Sequence, residues 1–213
     1  VIGDMYYEYQ RTGIGSMKYA FMDVANRSLV DVVTAGELRY GATDVATASA
    51  LAPGLTGSTA VTFGGGIKAV GKFSTGTSSA YSHSFWFKTS LTDCTFFSSG
   101  SGASIGILAQ IVGGVLYFWD GAVNVTTTKV YYDNMPHHVV AVNDGAALTS
   151  LYVDGDLVAT TAAVGGSGPF VDTMAGIPGD SSAGNTYNGT LQAVSTFTKA
   201  LSATEVKNLY RMG

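Results

Sequence analysis

The feature that most constrains this chain is a regular alternation of short apolar runs with glycine-centred turns. In the stretch Leu151–Thr160, LYVDGDLVAT, an Asp-Gly pair separates two alternating runs. Asp-Gly in that setting is the strongest short hairpin signal, because Gly155 freely, and Asp154 at lower cost than most side chains, can take the positive φ of a type I′ turn. Val153 is then predicted to pair with Asp156, and Tyr152 with Leu157. Asn143-Asp144-Gly145 supplies a second turn, between HHVVAV and LTSLYV, so this region reads as a three-stranded meander. A tight solvent-facing turn is a poor place for two carboxylates to converge on one cleft, so Asp154 and Asp156 are read as turn residues.

The same punctuation runs through most of the chain. TAVTF (Thr59–Phe63) and IKAVGKF (Ile67–Phe73) flank Gly64-Gly65-Gly66 and are predicted to form a hairpin. SHSFWFK, TFFSSG, SIGILAQI, VLYFWDG, AVNVTTTKVYY, PHHVVAVND, SLYV, DLVATTA and FVDTMAGI follow as strands, and a last long strand is read over Thr186–Leu201. Short, evenly spaced strands of this kind predict an all-β antiparallel sandwich or jelly roll. One helix is signalled at the C-terminal end. Ser202-Ala203-Thr204-Glu205 has the form of a capping box, Leu201 and Val206 can staple it, and Val206, Leu209 and Tyr210 share a face. The segment 42–58 is rich in Ala, Thr and Ser and is read as a loop within a single domain spanning 1–213.

Charge excludes some functions. Charged residues make up 12% of the chain and the net charge is −4, against roughly 25% charged residues in an ordinary soluble domain. Lysine and arginine are scattered, so there is no electrostatic footprint for nucleic acid. No apolar run approaches the roughly 20 residues of a membrane span. The opening VIGDMYYEYQ lacks the basic and apolar regions of an export signal; starting at Val, it is expected to be processed, excised or short of a first segment. The single cysteine, Cys94, cannot form an intrachain disulfide and is expected to be a small buried apolar residue.

At the meander the residues also carry a family resemblance. HHVVAVNDGAALTSLYVDGDLVAT resembles the central signature of LamG-like domains of the concanavalin A-like lectin/glucanase superfamily, in which a His-Val strand is followed by an Asp-Gly turn and a Leu-Tyr-Val-Asp-Gly hairpin. YNGTLQAVSTFTKALSATEVKNLY is similar to the family's closing strand and helix. STAVTFGGG resembles its Ala-X-X-Phe-X-Gly entry, SFWFK its aromatic strand, and YYEYQRTG its opening strand. The resemblance implies a two-sheet antiparallel jelly roll of about a dozen strands with one short C-terminal helix.

The superfamily includes glycoside hydrolases, whose retaining members need a nucleophile and an acid about 5 Å apart. The chain has only Glu8, Glu37 and Glu205, far apart in sequence, and no strand of alternating acids. No Gly-X-Ser-X-Gly elbow is present. The chain is therefore read as a non-enzyme. His137 and His138 are adjacent, so they point to opposite faces of a strand and cannot share a metal from it; one is expected in or near the core and the other exposed.

LamG-like domains often hold one calcium at a loop rim through a carboxylate and carbonyls, so the resemblance implies a possible Ca2+ ligand set, with Asp120 and Asp144 as candidates and Asn124, Asp172 and Asp180 as further oxygen donors. For a small ligand the best candidates are Trp119, Asp120 and Asn124, within YFWDGAVN. A flat indole at a rim can stack on a sugar while Asp and Asn bind hydroxyls. The alternative is that Tyr117 and Trp119 lie on a buried face and Asp120-Gly121 is only a turn.

Two functional expectations follow. The first is a structural or adhesion protein of a virus particle, a phage decoration, fibre or tail component on the virion surface, partnered by capsid or tail proteins or by copies of itself and able to bind host glycans. The second is an extracellular, calcium-assisted carbohydrate-binding module of a secreted protein or adhesin.

Overall fold

The computed structural model describes residues 17–23, 28–31, 37–40, 45–48, 60–63, 69–74, 80–101, 104–121, 123–162, 170–174 and 187–213. One sheet is built from β14 (Asp156–Thr161), β13 (Thr149–Val153), β12 (His137–Asn143), β7 (Tyr81–Lys88) and β16 (Gly189–Phe197), in that order. β5 (Ala60–Phe63) and β4 (Val45–Ala48) extend it beyond the first half of β16. The other sheet runs β11 (Asn124–Val130), β10 (Val115–Trp119), β9 (Ser104–Val112), β8 (Cys94–Ser101), β15 (Phe170–Met174), β6 (Ala69–Ser74), β3 (Glu37–Tyr40), β2 (Ser28–Asp31) and β1 (Met17–Asp23). β1 ties the two together. Met17–Tyr19 pair with β16, and Ala20–Asp23 pair with β2. Among the described residues every strand pairing is antiparallel, so the fold is the two-sheet, all-β sandwich that the alternating runs predict.

The meander is as read from the sequence. Asp154 and Gly155 have φ of 53° and 84°, Val153 pairs with Asp156, and Tyr152 with Leu157. Gly155 has a second constraint: a Cβ there would sit 3.1 Å from the Tyr210 ring, so the turn and the packing of the helix both select glycine.

Three expectations are corrected. Residues 59–63 and 67–73 do not form a hairpin: β5 pairs with β16 and β4, whereas β6 pairs with β3 and β15 in the other sheet. A glycine run between two apolar strands specifies a turn in the chain but not which neighbours each strand finds. Within the expected loop 42–58, Val45–Ala48 is a strand paired with Ala60–Phe63; its alternating Val and Thr outweigh the loop-like small residues around it. The last strand is shorter than read, Gly189–Phe197. The opening strand expected at YYEYQRTG lies outside the described residues, as do Asp180 and most of the segment 42–58.

The space between the sheets is filled by aromatic side chains. Phe85, Phe87, Phe96 and Phe97 are at most 1% exposed, and their rings meet at centroid distances of 4.7 to 5.2 Å. Tilted and edge-to-face pairs at such distances add about 0.5–1.5 kcal/mol each beyond burial. Cys94 is buried in this cluster and burial pushes its thiol up to about 12, so it is inert at neutral pH.

The helix α1 (Ala203–Met212) covers the other face of the first sheet. The Glu205 N–H donates to the Ser202 hydroxyl and the Ser202 N–H donates to the Glu205 carboxylate, which completes the capping box. Leu201, Val206 and Leu209 pack on Val140, Val142 and Phe197. Tyr210 stacks on Trp86 with centroids 5.7 Å apart. This cover explains β12. All seven of its residues are buried, because one face meets the core and the other meets the helix.

Candidate functional site

β10, VLYFW, is apolar throughout, so its composition does not say which face is inward. The structure does. Leu116 and Phe118 are in the core, while Val115, Tyr117 and Trp119 point to the outside of the sheet and are half-buried. The alternative reading, in which Tyr117 and Trp119 share the buried face, is therefore corrected. Strand periodicity puts the two outward rings about 7 Å apart.

β11 completes the face. Asn124 lies directly opposite Trp119 and Thr126 directly opposite Tyr117, and both are exposed. Cross-strand partners of this kind stand about 5 Å apart. Two aromatic side chains, an amide and a hydroxyl thus spring from a rectangle of about 7 by 5 Å. Of the residues predicted for a ligand, Trp119 and Asn124 are brought together on this surface.

Asp120 goes the other way. It is fully buried. One carboxylate oxygen accepts the Val123 N–H at 3.0 Å, and the other accepts from Thr149 Oγ1 at 2.8 Å and Asn143 Nδ2 at 3.2 Å. Its own N–H donates to the Val123 carbonyl. These bonds pin the tip of the β10–β11 hairpin to the β12–β13 hairpin. Asp120 is thereby held inside, next to Trp119, by groups that are 23 and 29 residues away. Burial, and then the charge of Asp120, raise the pKa of the Tyr81 hydroxyl.

Of the residues proposed for calcium, Asp120 and Asp144 have carboxylate oxygens engaged by donors. Asp144 Oδ1 accepts three backbone N–H groups, from Ala146, Ala147 and Leu148, and these hold its carboxyl below the usual range. Hydrogens aimed at Asp120 and at Asp144 Oδ1 are the wrong environment for a cation that needs six to eight oxygen ligands. Among the described residues, no three His, Cys, Asp or Glu side chains converge as a metal site. The carboxylate oxygens of Asp120 and Oδ1 of Asp144 are thus taken by protein donors rather than left open to a cation.

The histidines lie on opposite faces as predicted, but neither is exposed. His137 is 7% and His138 2% accessible: α1 covers His138 on the outer face, and His137 lies on the inner side against Phe87 and Tyr131. His138 Nε2 lies 2.8 Å from Ser84 Oγ, and burial pushes its ring down to about 4. Its ring sits 5.1 Å from Trp86 and 6.1 Å from Tyr210. This serine–histidine contact is sealed beneath the helix. His83 is also buried, beside Tyr81, Phe97 and Phe118, and is pushed down to about 3 by burial.

With this geometry in hand, the class is a lectin-like β-sandwich with an outward aromatic hairpin. Residues 56–207 match Laminin_G_3, of the concanavalin A-like lectin/glucanases superfamily. That is more than half of the chain, and the chain belongs to this family. Among solved structures it is similar to the receptor-binding domain of botulinum neurotoxin type G, with a TM-score of 0.61 and 15% identity over 92% of this chain and 50% of that one. It is similar to the binding domain of botulinum neurotoxin DC in complex with SialylT, with a TM-score of 0.65 and 15% identity over 92% and 51%. A third likeness is to the binding domain of Paraclostridial Mosquitocidal Protein 1, with a TM-score of 0.62 and 13% identity over 92% and 51%. The chain spans about half the length of these structures, and at such identities the likeness is one of fold. No curated protein matches the sequence.

Proposed function

We propose that this domain is a non-catalytic adhesion module that binds glycans on the outer face of the β10–β11 hairpin. The observation that carries the reading is the placement of Tyr117 and Trp119 side by side on that face, opposite Asn124 and Thr126. The rings offer the apolar platform, and the amide and hydroxyl offer directional bonds to sugar hydroxyls, the usual division of labour in a small-ligand site. The lectin-like fold and the binding-domain neighbours support the same reading, although fold alone does not assign a ligand. Asp120 serves the site by holding the hairpin tip. The test is a broad glycan array probed with the purified domain, with calcium and then with chelator. Specific binding unaffected by chelator is expected, and a blank array on folded protein would remove the reading.

A second reading, an assembly component on a virion surface, is supported by the low charge of the chain and by exposed apolar residues, among them Val112, Val130 and Met135. Val112 and Val130 flank Val115 across the β9–β10–β11 pairings, and a contiguous apolar patch of this kind is the sort that a partner covers. The two roles are compatible in one domain. Stable multimers or firm capture by a capsid or tail protein are expected under this reading, and a monomer that binds neither would count against it.

A further inference from the structure

His137 opens β12 on its inner side and lies between two carboxylates from different parts of the chain. Nδ1 is 2.8 Å from Asp154 Oδ2, in the β13–β14 turn, and Nε2 is 3.2 Å from Asp133 Oδ1, in the loop 131–136. A neutral imidazole has one N–H and one bare nitrogen, and a carboxylate only accepts. The neutral ring can therefore satisfy one carboxylate while turning a lone pair to the other. Only the imidazolium donates to both.

The two carboxylates are not equally anchored. Asp154 Oδ1 also accepts the His138 N–H at 2.9 Å, and the Asp154 N–H donates to the His138 carbonyl at 2.8 Å. Asp133 is carried on a loop with its side chain 52% exposed. The other groups around the ring are Phe87, at 5.7 Å, and Tyr131, edge-on at 5.2 Å. Lys129 lies over Tyr131 and its charge reaches Asp133. Burial alone would push the His137 ring down; the bond and charge of Asp154, and then of Asp133, outweigh it and raise its pKa.

We propose that His137 is a proton-operated clasp that fastens the loop 131–136, at the exit of edge strand β11, to the β13–β14 turn of the opposite sheet. With the proton bound, the ring bridges both carboxylates and the loop is closed. When the proton leaves, the remaining N–H stays with the closer, better anchored Asp154, and Asp133 loses the imidazole donor and keeps only the Met135 N–H of its own loop, at 2.9 Å. The sign is that of a group whose folded pKa is raised. The clasp is complete below 6.5, the ordinary value for the ring, and is lost as pH rises through a titration lying above it. The loop amide of Asn134, which donates to the Thr89 carbonyl at 2.9 Å, reports the closed state.

The test is amide hydrogen exchange at about pH 5.5 and about pH 8.5, expressed as protection relative to the unfolded chain, pH values that bracket the ordinary range of histidine. The protection of Asn134 is expected to fall about tenfold across this interval, one pH unit of linkage being a factor of ten. In His137→Gln the fall disappears. Should that variant fail to fold, Asp133→Asn at the half-exposed partner is the second probe: the His137 titration, followed by NMR, moves down and the pH dependence of the loop is lost. Equal wild-type protection at the two pH values would overturn the clasp. So would an unchanged His137 titration in Asp133→Asn.

Discussion

The two tryptophans of this domain sit in similar sequences and have opposite fates. Trp86 lies in FWF on β7 and is 5% exposed, stacked under Tyr210 of α1 and against His138. Trp119 lies in YFWD on β10 and is half-buried on the outside of a hairpin that ends its sheet. Each points away from the core between the sheets. What differs is the neighbour: a capped helix covers the face of Trp86, and the face of Trp119 is the one that carries exposed Asn124 and Thr126. Strand periodicity sets which side a ring takes, but the next element in space decides whether that side is a second core or a surface.

The comparison is tested most strongly by stability. Trp86→Ala is expected to destabilise the fold by about 3–5 kcal/mol, the usual cost of emptying a buried aromatic site, measured as the urea midpoint at constant m. Trp119→Ala should cost under about 1.5 kcal/mol, since a half-exposed side chain gives up only part of its transfer free energy. Equal losses would break the distinction.

The next effect is on acid stability, and it separates the adjacent histidines. His138 is buried beneath the helix with its ring held down to about 4. In the unfolded chain it takes up a proton near 6.5, so the unfolded state binds more protons between these values and stability falls as pH drops through that window. His83, held down to about 3, acts in the same direction. Each pH unit between folded and unfolded titration is worth about 1.4 kcal/mol. Urea midpoints of His138→Gln should therefore decline less than wild type on going from pH 6.5 to about 4, while His137, with the opposite shift, contributes on the alkaline side. A variant as acid-sensitive as wild type would show that burial of His138 is not the cause.

A smaller effect concerns the cover itself. Ser202→Ala removes the side-chain acceptor of the Glu205 N–H and is expected to cost about 1 kcal/mol. If the helix is what keeps Trp86 out of water, its tryptophan fluorescence should become more accessible to a soluble quencher in this variant, and that of Trp119 should not. The contribution of each ring can be read from the single-tryptophan variants Trp86→Phe and Trp119→Phe.

The sequence revealed the elements with local chemistry and missed those set by distant partners. The Asp154–Gly155 turn and the Ser202–Glu205 box were legible because both are written in consecutive residues and satisfy themselves. Trp119 and Asn124 could be put on one hairpin because Asp120-Gly121 marks the turn between them. Tyr117 could not be placed, since VLYFW has apolar residues at every position and therefore no alternation to read. Asp120 has the right chemistry for a sugar hydroxyl, yet it faces inward because Asn143 and Thr149 meet it there. The bracketing of His137 by Asp133 and Asp154 was hidden for the same reason: one partner is four residues away across a loop, and the other arrives only when the meander folds back.

The proposed ligand face on the outer hairpin is tested most directly by titrating Trp119→Ala and wild type against a glycan bound by the wild-type domain, alongside their unfolding curves. Affinity is expected to fall at least about tenfold, as for loss of about 1.4 kcal/mol or more of stacking, while the fold stays intact. Unchanged affinity in a folded Trp119→Ala protein would contradict it.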